Sequence, residues 1–286
     1  MTGIRNGRAL PGAPLAGAGA AVFVLAYAWL LLNGETEIAK SADPGAAGSS
    51  LWAVALPPLA AILLARAVPP KDEPPLPLAE SPRDRLRKET GALLASAIVV
   101  ACLLPFSGDA YPLVKVVVLL LAPLIAFKII RGGGGKARVI PAPAAWVAPL
   151  PAVAAWFVLS QVWPFAVPLT QELPDPITLV VASLITLLTA SVLEEVFYRA
   201  WLQTRLEALY GRWPAIMVSS LLFALMHSDR LDAAAPLTGL AAIVAAQGLF
   251  GLMLGYLWSR YRNIWVIIFI HVTTNLILVP MLVERL

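Results

Sequence analysis

Nine apolar runs, each on the scale of a membrane crossing, follow one another along the chain with polar breaks between them. They lie near residues 14–33, 51–69, 90–106, 113–131, 143–165, 178–208, 213–228, 237–258 and 264–283. A bilayer core is ~30 Å thick, and about 17 to 25 apolar residues cross it as a helix. Inside lipid the backbone must satisfy its own hydrogen bonds, so these runs predict helices and not open sheets. The expected fold is all-α, a polytopic transmembrane bundle of about 8 or 9 membrane helices. Arg5 and Arg8 precede the first run, as in a secretory signal, but no small-residue cleavage site follows before Asn33. That favours a retained helix. The third run is short, and the sixth exceeds one span, which predicts tilt or continuation into the interface.

Composition narrows the function classes. Hydrophobic residues are 59% of the chain and charged residues 13%, against roughly 25% charged in soluble domains. An ordinary cytoplasmic enzyme, a disordered chain and a nucleic-acid binder are all excluded. The pI near 9.4 does not point to DNA, because the basic residues sit in short loops between apolar runs. A single cysteine, Cys102, excludes a disulfide framework and a cysteine metal cluster.

Loop charge sets an orientation. With the N-terminus cytoplasmic and alternating spans, 17 of the 21 lysines and arginines fall on the cytoplasmic side. The exceptions are Lys40, Lys115, Arg230 and Arg285, while the opposite loops hold mainly acids such as Glu35, Glu37, Glu172 and Asp175. This is the bias expected of a protein in a plasma membrane. Residues 69–89, rich in proline and charge, read as a solvated cytoplasmic loop. Gly132–Gly135 reads as a flexible break, lacking the lysine-serine/threonine ending of a phosphate loop. No internal repeat is apparent. Residues 1–140 are expected to be accessory helices with a cytoplasmic loop, and 141–286 the part carrying chemistry.

Charged side chains inside a span cost about 2.5 to 3.5 kcal/mol each at a helix centre and mark functional candidates. Glu194 and Glu195 close the apolar stretch from Ile177 to Leu193. Neighbours on a helix point about 100° apart, so the two carboxylates meet different partners. Glu195 and Arg199 are four apart and can pair. Glu194 has no cation nearby in sequence, and a carboxylate in an apolar pocket can act as general base or acid. The plainer reading is that both glutamates begin an interfacial helix. His227 closes the run Ala215–Met226, and by itself suits an interfacial role. His271 and Asn275 share a face of the span Ile264–Val283 and must point into the bundle. Helix-to-helix hydrogen bonding would suffice for them. Together, however, Glu, His, His and Asn supply a complete hydrolytic site: a base for water and donors for an oxyanion.

These residues carry a resemblance. Glu194-Glu195-x-x-x-Arg199, then Phe223-x-x-x-His227, then His271-x-x-x-Asn275 resembles, in order and separation, the CPBP (CAAX protease and bacteriocin-processing, or Abi) family of glutamic-type intramembrane proteases. Trp201-Leu202 and Gly248, Gly251, Gly255 and Tyr256 extend the likeness, which covers roughly residues 145–286. Ala200 stands where the family usually has glycine. The resemblance implies that Glu194 activates water, that His227 assists, that His271 and Asn275 form the oxyanion site, and that Glu195 and Arg199 support them. It implies no cofactor and no metal. Two histidines and a glutamate leave zinc as a minority reading, and there is no His-Glu-x-x-His. Gly251-x-x-x-Gly255 reads as close helix packing.

The expected function is an intramembrane endopeptidase in a bacterial plasma membrane, among membrane lipids. It would cut a membrane-anchored or lipidated protein, such as a surface protein bearing a C-terminal sorting signal. The rivals are a non-catalytic scaffold or immunity protein of the same fold, a zinc-dependent variant, and a transporter, which would show repeated halves. Counting residues from the cytoplasmic helix ends puts His271 roughly 12 Å deep and His227 roughly 21 Å deep.

Overall fold

The structure is a computed structural model that describes residues 12–39, 47–71, 74, 78, 81–132, 142–162, 174–231 and 234–276. Among these, nine helical segments match the nine apolar runs. They are α1 (Gly12–Leu32), α2 (Leu51–Ala67), α3 (Arg83–Phe106), α4 (Gly108–Arg131), α5 (Leu150–Gln161), α6 (Pro176–Tyr210), α7 (Arg212–Leu225), α8 (Pro236–Tyr261) and α9 (Ile264–Asn275). By length and composition α1, α3, α4, α6 and α8 can each cross a membrane, while the other four are shorter apolar helices. The strands among the described residues form a small antiparallel pair, β1 (Glu37–Ala39) with β2 (Gly48–Ser50), matching Ile38 with Ser49.

Local chemistry sets the helix ends. Ser50 caps α2 by accepting from the Ala53 N–H at 3.2 Å. Asp175 caps α6 by accepting from Ile177 and Thr178 N–H groups, with Pro176 at the first helical position, where its missing N–H costs nothing. Asn263 caps α9 through Trp265 and Val266. Gly211, at φ +91°, makes the reversal between α6 and α7, a conformation that only glycine adopts without strain.

Three boundaries differ from the sequence reading. First, α3 begins at Arg83, so the last part of the expected loop 69–89 is helical. Charge suggested solvation there, but Glu89 is buried among three arginines. Its Oε1 accepts from Arg85 (3.0 Å) and Arg131 (2.9 Å), and its Oε2 from Arg205 (2.8 Å). Second, α5 starts only after Pro149, the residue at its N-cap. Third, α9 ends at Asn275, where Leu276 turns extended; residues 277–283 of that run, like 163–165 of the fifth, lie outside the described residues.

One apolar core runs through the bundle, joining Ala61, Leu93 and Phe127 of α2 to α4 with Phe197, Phe223 and Trp258 of α6 to α8. Helix α1 seats Phe23, Ala26 and Leu30 in a second cluster with Ala241, Val244 and Ala245 of α8. The Tyr27 hydroxyl donates to the Ala245 carbonyl at 3.1 Å. At one end of the bundle sit the Glu89 cage, the Arg262–Glu207 pair (2.7 Å) and Arg260, which donates to the Arg66 carbonyl at 3.5 Å.

Candidate active site

Helix α6 carries the two glutamates at its middle. π-helical turns over Leu187–Val192 and Val196–Gln203 bracket them; such turns add a residue per turn, re-aim the side chains and recur at functional sites. Both carboxylates are buried, Glu194 at 1% and Glu195 at 0% exposure, and they meet different partners.

Glu195 Oε1 lies 2.7 Å from His271 Nδ1 on α9. Its Oε2 lies 3.4 Å from Arg199 Nε, so one carboxylate ties α6 to itself and to α9. Arg199 is wholly buried. Its guanidinium sits 4.3 Å from the centroid of the Phe223 ring, and Nη2 is 3.4 Å from the Gly251 carbonyl. A Cβ on Gly251 would come within 3.2 Å of that Nη2 and 3.1 Å of Phe223, so this glycine makes room for the arginine. The packing role read for Gly251 and Gly255 is therefore present, with Gly255 opposing Gln203 of α6.

Glu194 meets a residue the motifs did not point to. Lys115 Nζ of α4 lies 2.7 Å from Glu194 Oε1, and the lysine is itself 8% exposed. The signal was in the sequence: Lys115 is one of four basic residues that break the cytoplasmic charge bias. The other oxygen, Oε2, has no hydrogen-bond partner among the described residues and lies 3.9 Å from His271 Nε2.

His227 lies in the turn after α7, its Nδ1 3.0 Å from the Phe223 carbonyl. The Phe223 ring stands between the two imidazoles, edge-on to His227 (5.1 Å) and to His271 (5.8 Å). Asn275, at the last turn of α9, donates from Nδ2 to Ser191 Oγ at 3.4 Å. His227, His271 and Asn275 line one cavity of about 130 Å³, with Pro57, Pro58, Trp156 and Phe250 among its other walls. Glu194 lies behind His271 rather than in the wall. The structure thus gathers all seven residues of the three motifs and adds Lys115. Among the described residues there is no group of three His, Cys, Asp or Glu side chains placed to hold a metal ion.

Residues 176–277 match the family model described as type II CAAX prenyl endopeptidase Rce1-like. The matched stretch begins at the first residue of α6 and takes in every motif residue, which bears out the CPBP resemblance. It implies a protease, and with the apolar helices an integral membrane protein. Lys115 and the whole of α1 to α5 lie outside the match. No curated protein and no solved structure matches the chain.

Proposed function

We propose that the chain is an intramembrane endopeptidase in which Glu194 activates water against a peptide bond of a membrane-anchored or lipidated protein. The observation that carries this is the gap between Glu194 Oε2 and His271 Nε2. At 3.9 Å it is too long for a direct hydrogen bond, and it leaves Oε2 a buried carboxylate oxygen with no partner among the described residues, beside the ring that lines the cavity, as the acceptor for a water once His271 shifts to admit one. Glu194 takes the water proton as the oxygen bonds to the carbonyl carbon, and returns a proton to the leaving amine as the C–N bond breaks. His271, Asn275 and His227 face the cavity that would hold the carbonyl, where donors aimed at the oxyanion contribute most in a water-poor site.

Glu195 has a larger role than fixing a helix. By holding His271 Nδ1 it fixes which ring nitrogen faces the cavity, as the carboxylate of a hydrolytic triad does. That geometry supports a second reading, with His271 as base, Glu195 as its orienting partner and Glu194 as an electrostatic brace. Family members act on membrane-associated prenylated proteins; for this chain, surface proteins with C-terminal sorting signals are the substrates proposed. The proposed setting is a bacterial plasma membrane with the N-terminus cytoplasmic.

The test is cleavage of a tagged membrane-anchored reporter by the full chain in vesicles. Under the first reading Glu194→Gln lowers the rate by about 10²- to 10⁴-fold, the range of general-base catalysis, and a strong chelator leaves the wild-type rate unchanged. Residual cleavage by Glu194→Gln with loss in Glu195→Gln would move the base to His271. Full cleavage by both variants would remove the mechanism, and chelator inhibition would restore the zinc reading.

A further inference from the structure

Two arginine clusters close the same end of the bundle, and they differ in how well their charge is met. In the first, the two oxygens of Glu89 accept from Arg85, Arg131 and Arg205, and no buried nitrogen of these arginines lacks a partner. The second gathers around Glu207 in the last turn of α6. Arg262 Nη2 lies 2.7 Å from Glu207 Oε1, which also accepts from the Ser259 hydroxyl at 3.0 Å. Arg212, the first residue of α7, is within electrostatic reach of Glu207, Arg260 and Arg262, and its guanidinium lies 5.4 Å from the centroid of the Tyr256 ring. Three guanidinium charges against one carboxylate leave a charge of +2 unmatched among the described residues.

The imbalance shows atom by atom. Arg212 Nε and Nη2, Arg260 Nε, and Arg262 Nε and Nη1 are buried donors with no hydrogen-bond partner among the described residues. Arg262 as a whole is only 4% exposed. The free oxygen of Glu207, Oε2, cannot satisfy them, since it offers two lone pairs to five nitrogens. Buried polar groups are nearly always paired, so donors left over in this number point to an acceptor from outside the chain. The backbone adds a second observation. Arg262 sits at φ +48°, in the left-handed region, just past the end of α8, where helices usually place glycine or asparagine. An arginine held there against its backbone preference, with its guanidinium on Glu207, marks a position used for its side chain.

The level of the cluster decides the acceptor. Helix α8 is long and apolar enough to cross a membrane and ends at Tyr261, so Arg260 and Arg262 lie where a span meets the headgroups. Trp213 and Trp265 are exposed close by, the first with its ring 5.7 Å from that of Tyr256, and exposed tryptophans at this level are interface anchors. Basic pockets between membrane helices at that depth bind phosphate-bearing headgroups, and a guanidinium fork matches phosphate oxygens two at a time.

We propose that Arg212, Arg260 and Arg262 form a binding site for the phosphate of an anionic phospholipid headgroup. The bound lipid bridges the α6–α7 reversal and the α8–α9 junction, and so clamps the ends of the helices that carry Glu194, Glu195 and His271. The site is separate from the cavity and does not depend on the protease reading.

Thermal unfolding of the purified full chain in detergent reads occupancy, because a ligand bound only by the folded state raises the midpoint. Short-chain phosphatidylglycerol is titrated, with phosphatidylcholine and inorganic phosphate as parallel arms at the same concentrations. Phosphatidylglycerol is expected to raise the midpoint by about 5 °C near saturation, and the other two by far less. Arg212→Gln and Arg262→Gly are each expected to lose most of that shift. Glycine suits the left-handed backbone at 262, and Arg212→Gln leaves the Arg262–Glu207 pair in place, so a folded variant remains to be read. Arg87→Gln, at an exposed arginine of the same end, is expected to keep the shift. No shift in wild type, an equal shift with phosphatidylcholine, a full shift in both cluster variants, or an equal loss in Arg87→Gln overturns the site. An equal shift with inorganic phosphate overturns the lipid assignment and gives the site to a free phosphate. Cleavage plays no part in the readout, so failure here and failure of the protease reading are told apart.

Discussion

Lys115→Met deletes one charge and keeps most of the side-chain volume. In the native protein the ammonium and the Glu194 carboxylate are 2.7 Å apart and both shielded, at 10% and 1% side-chain exposure. At an effective dielectric of 20 their attraction is about 6 kcal/mol. Desolvation of the two ions offsets part of that, and removing one partner of a buried pair typically costs about 3–5 kcal/mol because the other charge is stranded. At about 2 °C per kcal/mol, thermal unfolding of the purified chain in detergent should fall by roughly 6–10 °C. Glu194→Gln alone strands the lysine and should fall comparably. The double variant Lys115→Met/Glu194→Gln strands nothing, so it should recover most of the loss of either single change, a strongly non-additive cycle. Unchanged unfolding of Lys115→Met, or additive losses in the double variant, would refute the pairing as a structural element of the site.

Two further outcomes test the frame around the site. Gly251→Ala pushes a methyl against Phe223 and the Arg199 guanidinium, and overpacking of this kind costs about 1–3 kcal/mol. Thermal unfolding should drop and reporter cleavage should weaken with it, whereas an alanine tolerated in both assays would contradict the tight approach of α8 to α6. Glu89→Gln leaves Arg85, Arg131 and Arg205 facing one another without their common anion. Arg205 is buried, but Arg85 is 24% exposed, so the loss should lie toward the lower end of about 3–5 kcal/mol. Raising salt should restore part of it by screening the exposed arginine, and a salt-independent loss would argue against a charge cage.

Legibility in the sequence followed the range of the interactions. The helices were readable because a membrane span is a local property, written in consecutive apolar residues. The Glu195–Arg199 contact was readable because it is one turn long. The start of α3 was not, because Arg85, Lys88 and Glu89 look solvated until Arg131 and Arg205 arrive from other helices to bury the carboxylate. Nor were the distant partners of the glutamates, Lys115 of α4 for Glu194 and His271 of α9 for Glu195, and nothing local in the sequence announces the π-helical turns on either side of the pair. The hairpin Glu37–Ala39 with Gly48–Ser50 is too short for alternation to show.

Charge count explains why the motifs alone leave the site incomplete. Glu194, Glu195 and Arg199 carry a net charge of −1, all at most 1% exposed. An isolated buried charge is costly enough that the group usually neutralises unless a partner holds it. Lys115 supplies that partner: its Nζ lies 2.7 Å from Glu194 Oε1, and with it the buried set holds two carboxylates and two cations. The lysine comes from α4, outside the residues that match the family, so the first half of the chain supplies the site with a counter-ion as well as a wall.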